Sequence, residues 1–131
     1  MTDLLVDIHP WIGYLVAAVM LVIAFVAFGR AKEAREFTPG SYVLAMVLLD
    51  IQVTLGLLLY VLDGRWEDRP ELAYLHPALA LLALAIGHAR VGRARRVQMA
   101  VDAHRMAGRG LLMALVVVAA AIGVASAPAF M

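Results

Sequence analysis

Two histidines carry the most specific chemistry in this chain, because each is followed by proline and then by a long apolar run. The pairs are His9-Pro10 and His76-Pro77. If both runs cross a membrane in the same direction, the two imidazoles lie at the same depth on one side. Two imidazoles that face each other across a helix bundle are a usual way for a protein to hold a haem iron. The spacing therefore predicts a haem site with His9 and His76 as axial ligands.

Four apolar blocks are available to position these residues. The 131 residues are 64% hydrophobic and 16% charged, whereas soluble domains have about 45–50% apolar and about 25% charged residues. Since a span needs about 20 residues, the blocks predict an all-α integral membrane four-helix bundle. We expect one membrane domain over residues 1–131, with spans at about 9–29, 41–62, 72–90 and 108–127.

The basic residues predict the orientation of this bundle. All but Arg65 and Arg69 fall in the two segments that follow the first and third blocks: Arg30, Lys32, Arg35, Arg90, Arg93, Arg95, Arg96, Arg105 and Arg109. By the positive-inside rule, both segments are cytoplasmic and both termini are extracytoplasmic. We expect a multi-pass protein of the cell membrane, in a bacterial or archaeal inner membrane. Topology and anionic lipid explain the basic segments, so no nucleic-acid partner is expected.

Cysteine is absent from the sequence. Its absence excludes disulfides, thiolate metal sites and covalent haem attachment through a C-x-x-C-H motif. Any haem must therefore be bound non-covalently, and haem b is the expected cofactor.

Small residues follow both histidines at helical spacing. Gly13 lies four residues after His9, and Ala80 lies four residues after His76. A flat macrocycle needs small side chains on the helix face beside its ligand. The alternative is that these residues serve only the close packing of helices in the membrane. Both prolines are expected in the first turn of their helices, where a missing N–H removes no hydrogen bond.

The second span adds a wall to the predicted pocket. Gln52, Gly56 and Tyr60 are each four apart and share one helix face, which offers an amide, a gap and a phenol to the extracytoplasmic half of the bundle. Asp50 points about 200° away from Gln52 and is not expected in the pocket. Inserting an aspartate at the centre of a membrane helix costs about 2.5–3.5 kcal/mol of free energy. Hydrogen bonding to Thr54 or a neighbouring helix, a proton or ion path, and contact with a partner subunit all remain open for it.

The loop between the second and third spans, 63–70, is expected to cover the pocket. Arg65 and Arg69 are its basic residues, and haem propionates need cationic partners. The alternative is local pairing of these arginines with Glu67, Asp68 and Glu71.

His88 and His104 are the candidates for a weaker, second metal site near the cytoplasmic face. His88 lies twelve residues after His76, which is about 120° around the helix. Stacked haems held by one helix favour a spacing nearer to whole turns. Interfacial histidines in a basic segment are the alternative, and the spacing favours that alternative.

The order of these residues resembles one half of a haem A synthase over about residues 7–90. The resemblance rests on the following positions: His9, Gly13, Arg30, Gln52-x-x-Leu55-Gly56 and His76-x-x-x-Ala80. It implies a four-helix bundle in which histidines at the outer ends of two helices hold a haem b between them.

The sequence departs from this family at the residues associated with chemistry. Val6 occupies the place of a glutamate, Pro10 follows His9 where the family has arginine, and there is no cysteine pair. The chain forms one bundle, where most members of the family have two. The resemblance therefore implies haem binding more strongly than haem oxidation. If the protein is an enzyme, a haem A synthase-like oxidoreductase is the expected kind.

Two functions of different classes follow from the sequence. The first is a b-type haem protein for electron transfer or haem handling, since two histidine ligands leave the iron no open position. Its expected partners are membrane lipid, a redox partner or quinone, and further copies or subunits of a larger complex. The second is a non-enzymatic accessory or assembly subunit of a respiratory-type membrane complex, with interfacial histidines. A small transporter is less favoured, because no Gly/Pro-broken pair of helices is present.

Overall fold

The computed structural model describes residues 2–126, which form four long helices and no strand. Helix α1 spans Thr2–Lys32, α2 spans Gly40–Leu62, α3 spans His76–Ala94 and α4 spans Ala100–Ser126. Each of the four is long and apolar enough to cross a membrane. The predicted all-α membrane bundle is thereby confirmed. The predicted end of the fourth span, Ala127, lies outside the described residues.

The four helices pack in cyclic order, with α1 against α2 and α4, and α3 against α2 and α4. Contacts between helix ends fix the directions, since the start of α1 meets the start of α3 and the start of α2 meets the start of α4. We call the end with the α1–α2 and α3–α4 loops the basic end. The opposite end, with the α2–α3 connection and the beginning of α1, is the acidic end.

The centre of the bundle is built mainly from small side chains. Ala24, Ala83, Ala107 and Ala114 are completely buried, which lets the helix backbones approach closely. Many large apolar side chains point outward instead, and Phe25 is 64% exposed, whereas Met20 and Leu111 are among the few that fill the centre. This distribution is typical of helices whose outer surface is solvated by lipid.

Helix α1 begins seven residues earlier than the sequence predicted, at Thr2 rather than near residue 9. Pro10 consequently lies inside the helix, so its expected position in the first turn was wrong. Proline lacks the N–H that would bond to the Val6 carbonyl. The helix nevertheless continues through Pro10 to Lys32, and in its apolar part the backbone groups must be satisfied internally in lipid.

A π-turn, Glu71–Leu75, leads directly into α3. The His76 N–H donates to the Glu71 carbonyl, five residues back. Pro77 is in the first turn of α3, as predicted. Because the π-turn leads directly into α3, however, the missing N–H of Pro77 removes the ordinary bond to Ala73, which the prediction did not expect. The π-turn thus ends next to Pro77, which cannot form a regular helical hydrogen bond. The π-turn also sets the direction in which His76 projects.

His104 anchors the basic end. It is completely buried, and its Nε2 lies 3.1 Å from the Arg35 carbonyl oxygen. A carbonyl only accepts, so Nε2 carries the proton and Nδ1 accepts from the Tyr42 hydroxyl, 2.6 Å away. Phe37 stacks on the Tyr42 ring. One histidine therefore ties α4 to α2 and to the α1–α2 loop.

Tyr42→Phe tests this anchor, because it leaves the buried Nδ1 of His104 without a donor. We expect the free energy of unfolding to fall by about 1–2 kcal/mol, as for other buried hydrogen bonds between membrane helices. The measurement is the unfolding midpoint of the purified protein in mixed detergent micelles. Tyr74→Phe is the control, since Tyr74 is 66% exposed. Equal losses in both variants would contradict the role given to His104.

Candidate functional site

A cavity of about 340 Å³ lies at the acidic end, between all four helices. This volume is within the usual range for ligand sites, about 300–1,000 Å³. Seven of the eight predicted cofactor-binding residues line it: His9, Gly13, Gln52, Gly56, Arg65, His76 and Ala80. Tyr60 also lines the cavity, and Asp50 does not. The structure thus brings together residues that are up to 71 positions apart in the sequence (from His9 to Ala80).

His9 and His76 meet across this cavity. Their ring centroids are 6.4 Å apart, and the ring planes are nearly perpendicular, at 87°. Nδ1 of His76 lies 2.8 Å from the Ala121 carbonyl oxygen in α4. Because that carbonyl accepts, Nδ1 carries the proton, and Nε2 of the neutral ring keeps a free lone pair. A backbone carbonyl that orients a histidine in this way is a common outer partner of a metal ligand.

His9 is positioned by helix α2 through Gly56. A Cβ atom at Gly56 would lie 3.0 Å from Cε1 of His9, which is closer than the about 3.5–4.0 Å of a favourable carbon contact. The gap that the sequence predicted at Gly56 is therefore filled by the imidazole of His9. Glycine at this position lets the ring lie directly against the α2 backbone.

Gln52 links the same two helices one turn deeper. Its Nε2 donates to the His9 carbonyl oxygen at 2.8 Å, and Gly13 makes room for it, since a Cβ there would be 2.8 Å from Nε2. Two buried atoms at this contact, Nδ1 of His9 and Oε1 of Gln52, have no hydrogen-bond partner within the described part of the chain. Buried polar groups normally have partners, so these two atoms mark a place for a further polar interaction.

The two arginines of the α2–α3 connection differ in position. Arg65 lines the cavity and also forms ion pairs with Asp63 at 2.8 Å and Asp68 at 3.1 Å. The predicted local pairing is therefore present, with Asp68 among the expected partners and Asp63 an additional one, and the predicted bond to a haem propionate stays a prediction. Arg69 does not line the cavity; its carbonyl accepts the N–H groups of Leu72 and Ala73.

The two other histidines bind elsewhere in the bundle. Nε2 of His88 lies 2.6 Å from Oδ1 of Asp50, and both ring nitrogens of His104 are engaged in the anchor at the basic end. The structure does not gather these residues into a second metal centre: no group of three or more potential metal ligands occurs among residues 2–126. The bond to a neighbouring helix that was expected for Asp50 is present, and a proton or ion path and a partner subunit stay predictions.

The sequence contained only an approximate signal for the pairing of Asp50 with His88, because the third span was predicted to begin at Leu72 and α3 begins at His76. Asp50 is twelve residues before the end of α2, and His88 is twelve residues after the start of α3. In adjacent antiparallel helices, equal distances from the shared connection place two residues at the same depth. The bonds of His104 had no comparable signal, because they depend on the path of a loop.

Comparison with known proteins gave no match to a family model, a curated protein or a solved structure. The resemblance to the haem A synthase family therefore stays a prediction, and any function proposed for this chain depends on the geometry of the cavity and its two histidines.

Gly56→Ala tests the close packing of His9 against α2. The added methyl group forces the imidazole or the helix to move, and we expect a loss of about 1–3 kcal/mol in the free energy of unfolding, as for other overpacked sites. Gly29→Ala is the control, because nothing lies within 4 Å of a Cβ at that position. Its effect should be neutral or stabilising by about 0.5–1 kcal/mol. Equal stabilities of the two variants in thermal unfolding in detergent would show that His9 is not packed against Gly56.

Proposed function

We propose that this protein is an integral membrane b-type haem protein whose iron is bound axially by His9 and His76. The observation that carries the proposal is the approach of these two imidazoles across one cavity, at 6.4 Å between ring centroids. Two imidazoles that bind one metal ion from opposite sides, at about 2 Å per nitrogen, have ring centroids on the order of 6 Å apart. The observed separation fits a shared ion.

The number of protein ligands favours a metal that is already held by a macrocycle. A structural or catalytic zinc site needs three or four protein ligands, and residues 2–126 contain no such group. Haem iron takes four ligands from the porphyrin and only the two axial ones from the protein. His76 has a defined free Nε2 for this purpose, because its Nδ1 is engaged by the Ala121 carbonyl.

The rest of the cavity supports the same ligand. Its wall is mostly apolar, with Leu49, Val53 and Val118 among the lining residues, and a haem plane is held largely by such contacts. Arg65 is the arginine at the wall, where a propionate would join or replace its bonds to the loop aspartates. The absence of cysteine makes the attachment non-covalent.

Electron transfer is the activity that this ligand set favours. Haem supplies one-electron redox chemistry, and two strong axial ligands leave no position for oxygen. The residues of this chain hold and orient the ligands: Gly56 and Gln52 fix His9, and Ala121 fixes His76. The missing glutamate and cysteine pair argue against haem oxidation. A quinone or a protein redox partner is the expected source or acceptor of electrons.

The basic end is proposed to face the cytoplasm. It carries the basic residues of both loops, and the positive-inside rule governs short loops of this kind. The haem site then lies near the extracytoplasmic surface of the cell membrane.

An absorption spectrum of the purified protein tests the proposal. After expression with ample haem supply, we expect a b-type α-band on reduction with dithionite, and we expect His9→Ala and His76→Ala each to lose most of it. His88→Ala is the matched control, since it removes a histidine of the same bundle that lies outside the cavity. A colourless wild-type protein, or equal losses in all three variants, would rule out the proposed ligands.

Arg65→Gln tests the contribution of the loop to the potential. Loss of this cation removes a positive charge beside the site and leaves Asp63 and Asp68 without their partner. Since nearby negative charge favours the oxidised iron, we expect the midpoint potential in a redox titration of the α-band to fall. Arg96→Gln removes an equal charge at the basic end and should leave the potential nearly unchanged. Equal shifts in both variants would mean that Arg65 has no specific role.

A further inference from the structure

A hydrogen-bonded pair of ionisable residues lies on the outer surface of the membrane-spanning bundle. Asp50 in α2 and His88 in α3 are joined at 2.6 Å, yet their side chains remain 38% and 50% exposed. Each is twelve residues, or about 18 Å, from the α2–α3 connection. The pair therefore faces the hydrocarbon region at mid-depth, where ionisable groups are strongly disfavoured without partners.

The bond between the two side chains satisfies only half of their polar atoms. It uses Nε2 of His88 and Oδ1 of Asp50, and within the described residues no hydrogen bond reaches Nδ1 of His88 or Oδ2 of Asp50. In lipid no water is available for these atoms. The surface thus presents one unsatisfied nitrogen and one unsatisfied oxygen side by side.

These two atoms are complementary to a second copy of themselves. If His88 is protonated and Asp50 ionised, the outer nitrogen donates and the outer oxygen accepts. If both residues are neutral, the outer oxygen donates and the outer nitrogen accepts. In either state, a twofold axis between two copies pairs the donor of each with the acceptor of the other.

The surface beside His88 is shaped for close approach of another helix. Three small residues occur at intervals of seven along α3, Ala78, Ala85 and Gly92, and all three are exposed. They lie within about 80° of His88 around the helix, and nothing is within 4 Å of a Cβ at Gly92. Small residues at an exposed helix face allow backbones to pack closely in membranes, and an adjacent polar group strengthens such contacts.

We propose that the α2–α3 face mediates a homodimer, in which Asp50 and His88 of two copies form one closed hydrogen-bonded network at mid-membrane. The interface covers the polar pair and places the α3 helices of the two copies against each other along Ala78, Ala85 and Gly92. The inference does not depend on haem, because neither Asp50 nor His88 lines the cavity.

Cysteine cross-linking in native membranes tests the dimer, since the chain has no cysteine of its own. Ala78→Cys, Ala85→Cys and Gly92→Cys are made singly and oxidised with copper phenanthroline. A disulfide needs Cα atoms about 4.4–6.8 Å apart, so at least one of the three should give several-fold more disulfide-linked dimer than the control. Ala18→Cys is that control: it is exposed on α1, nine residues after His9, as Ala85 is nine residues after His76.

Asp50→Leu in the best cross-linking background tests the polar network. Leucine keeps the branching of the side chain at Cγ but has no polar atom, so it removes the network in either protonation state, and we expect the dimer yield to fall several-fold. Circular dichroism of the purified variant establishes that its helices are retained. The proposal is overturned if no position exceeds Ala18→Cys, if Asp50→Leu leaves the yield unchanged, or if the main adduct contains a different protein.

Discussion

Lipid tails are as apolar as leucine, so apolar contact alone does not hold four helices of this chain in a defined register. Polar contacts between helices supply what the apolar surface lacks. Gln52 binds the backbone of α1, His76 that of α4, His104 the hydroxyl of Tyr42, and Asp50 binds His88. Each bond joins a different pair of helices. Since a polar atom in hydrocarbon has no water to replace a lost partner, an arrangement that broke these four contacts would leave polar atoms without partners, and the observed arrangement is favoured.

At the acidic end, polar contacts between helices occur beside glycine residues, which have no side chain to keep the helices apart. Gly56 and Gly13 allow an imidazole and an amide to lie against opposing helix backbones, and both prolines remove backbone donors next to the histidines. Rigid helices thus bring the imidazoles of His9 and His76 together without help from a flexible loop. The α2–α3 connection contributes Arg65 at the edge, where its aspartate pairs restrain it. Such a site is largely formed by the fold itself, which is the condition under which a bound ligand is held precisely.

The sequence predicted the spans and the convergence of most cavity residues because both follow from periodicity and from alternating helix direction. It failed where structure depends on backbone detail. The extension of α1 to Thr2 was missed because Pro10 resembled a helix start, and the π-turn before His76 has no distinctive composition. The occupation of the Gly56 gap by His9 itself depends on the distance between helices, which hydropathy does not specify. The sequence placed His104 in an interfacial segment, whereas the structure buries it. Its two partners, the Arg35 carbonyl and the Tyr42 hydroxyl, are seven residues apart along the chain.

The π-turn at Glu71–Leu75 has a consequence for how this chain tolerates insertions and deletions. A π-turn contains one residue more per hydrogen-bonded ring than an α-turn, so it offsets the rotational phase of helix α3 by about 100°. The residues before it belong to the surface connection, and those after it, from His76 on, belong to the bundle. Loss of one residue within the turn would convert it to regular helix and remove the offset. The number of residues in the π-turn therefore determines the rotation of helix α3. The α2–α3 connection can change in length before Glu71 without rotating α3, but not within Glu71–Leu75.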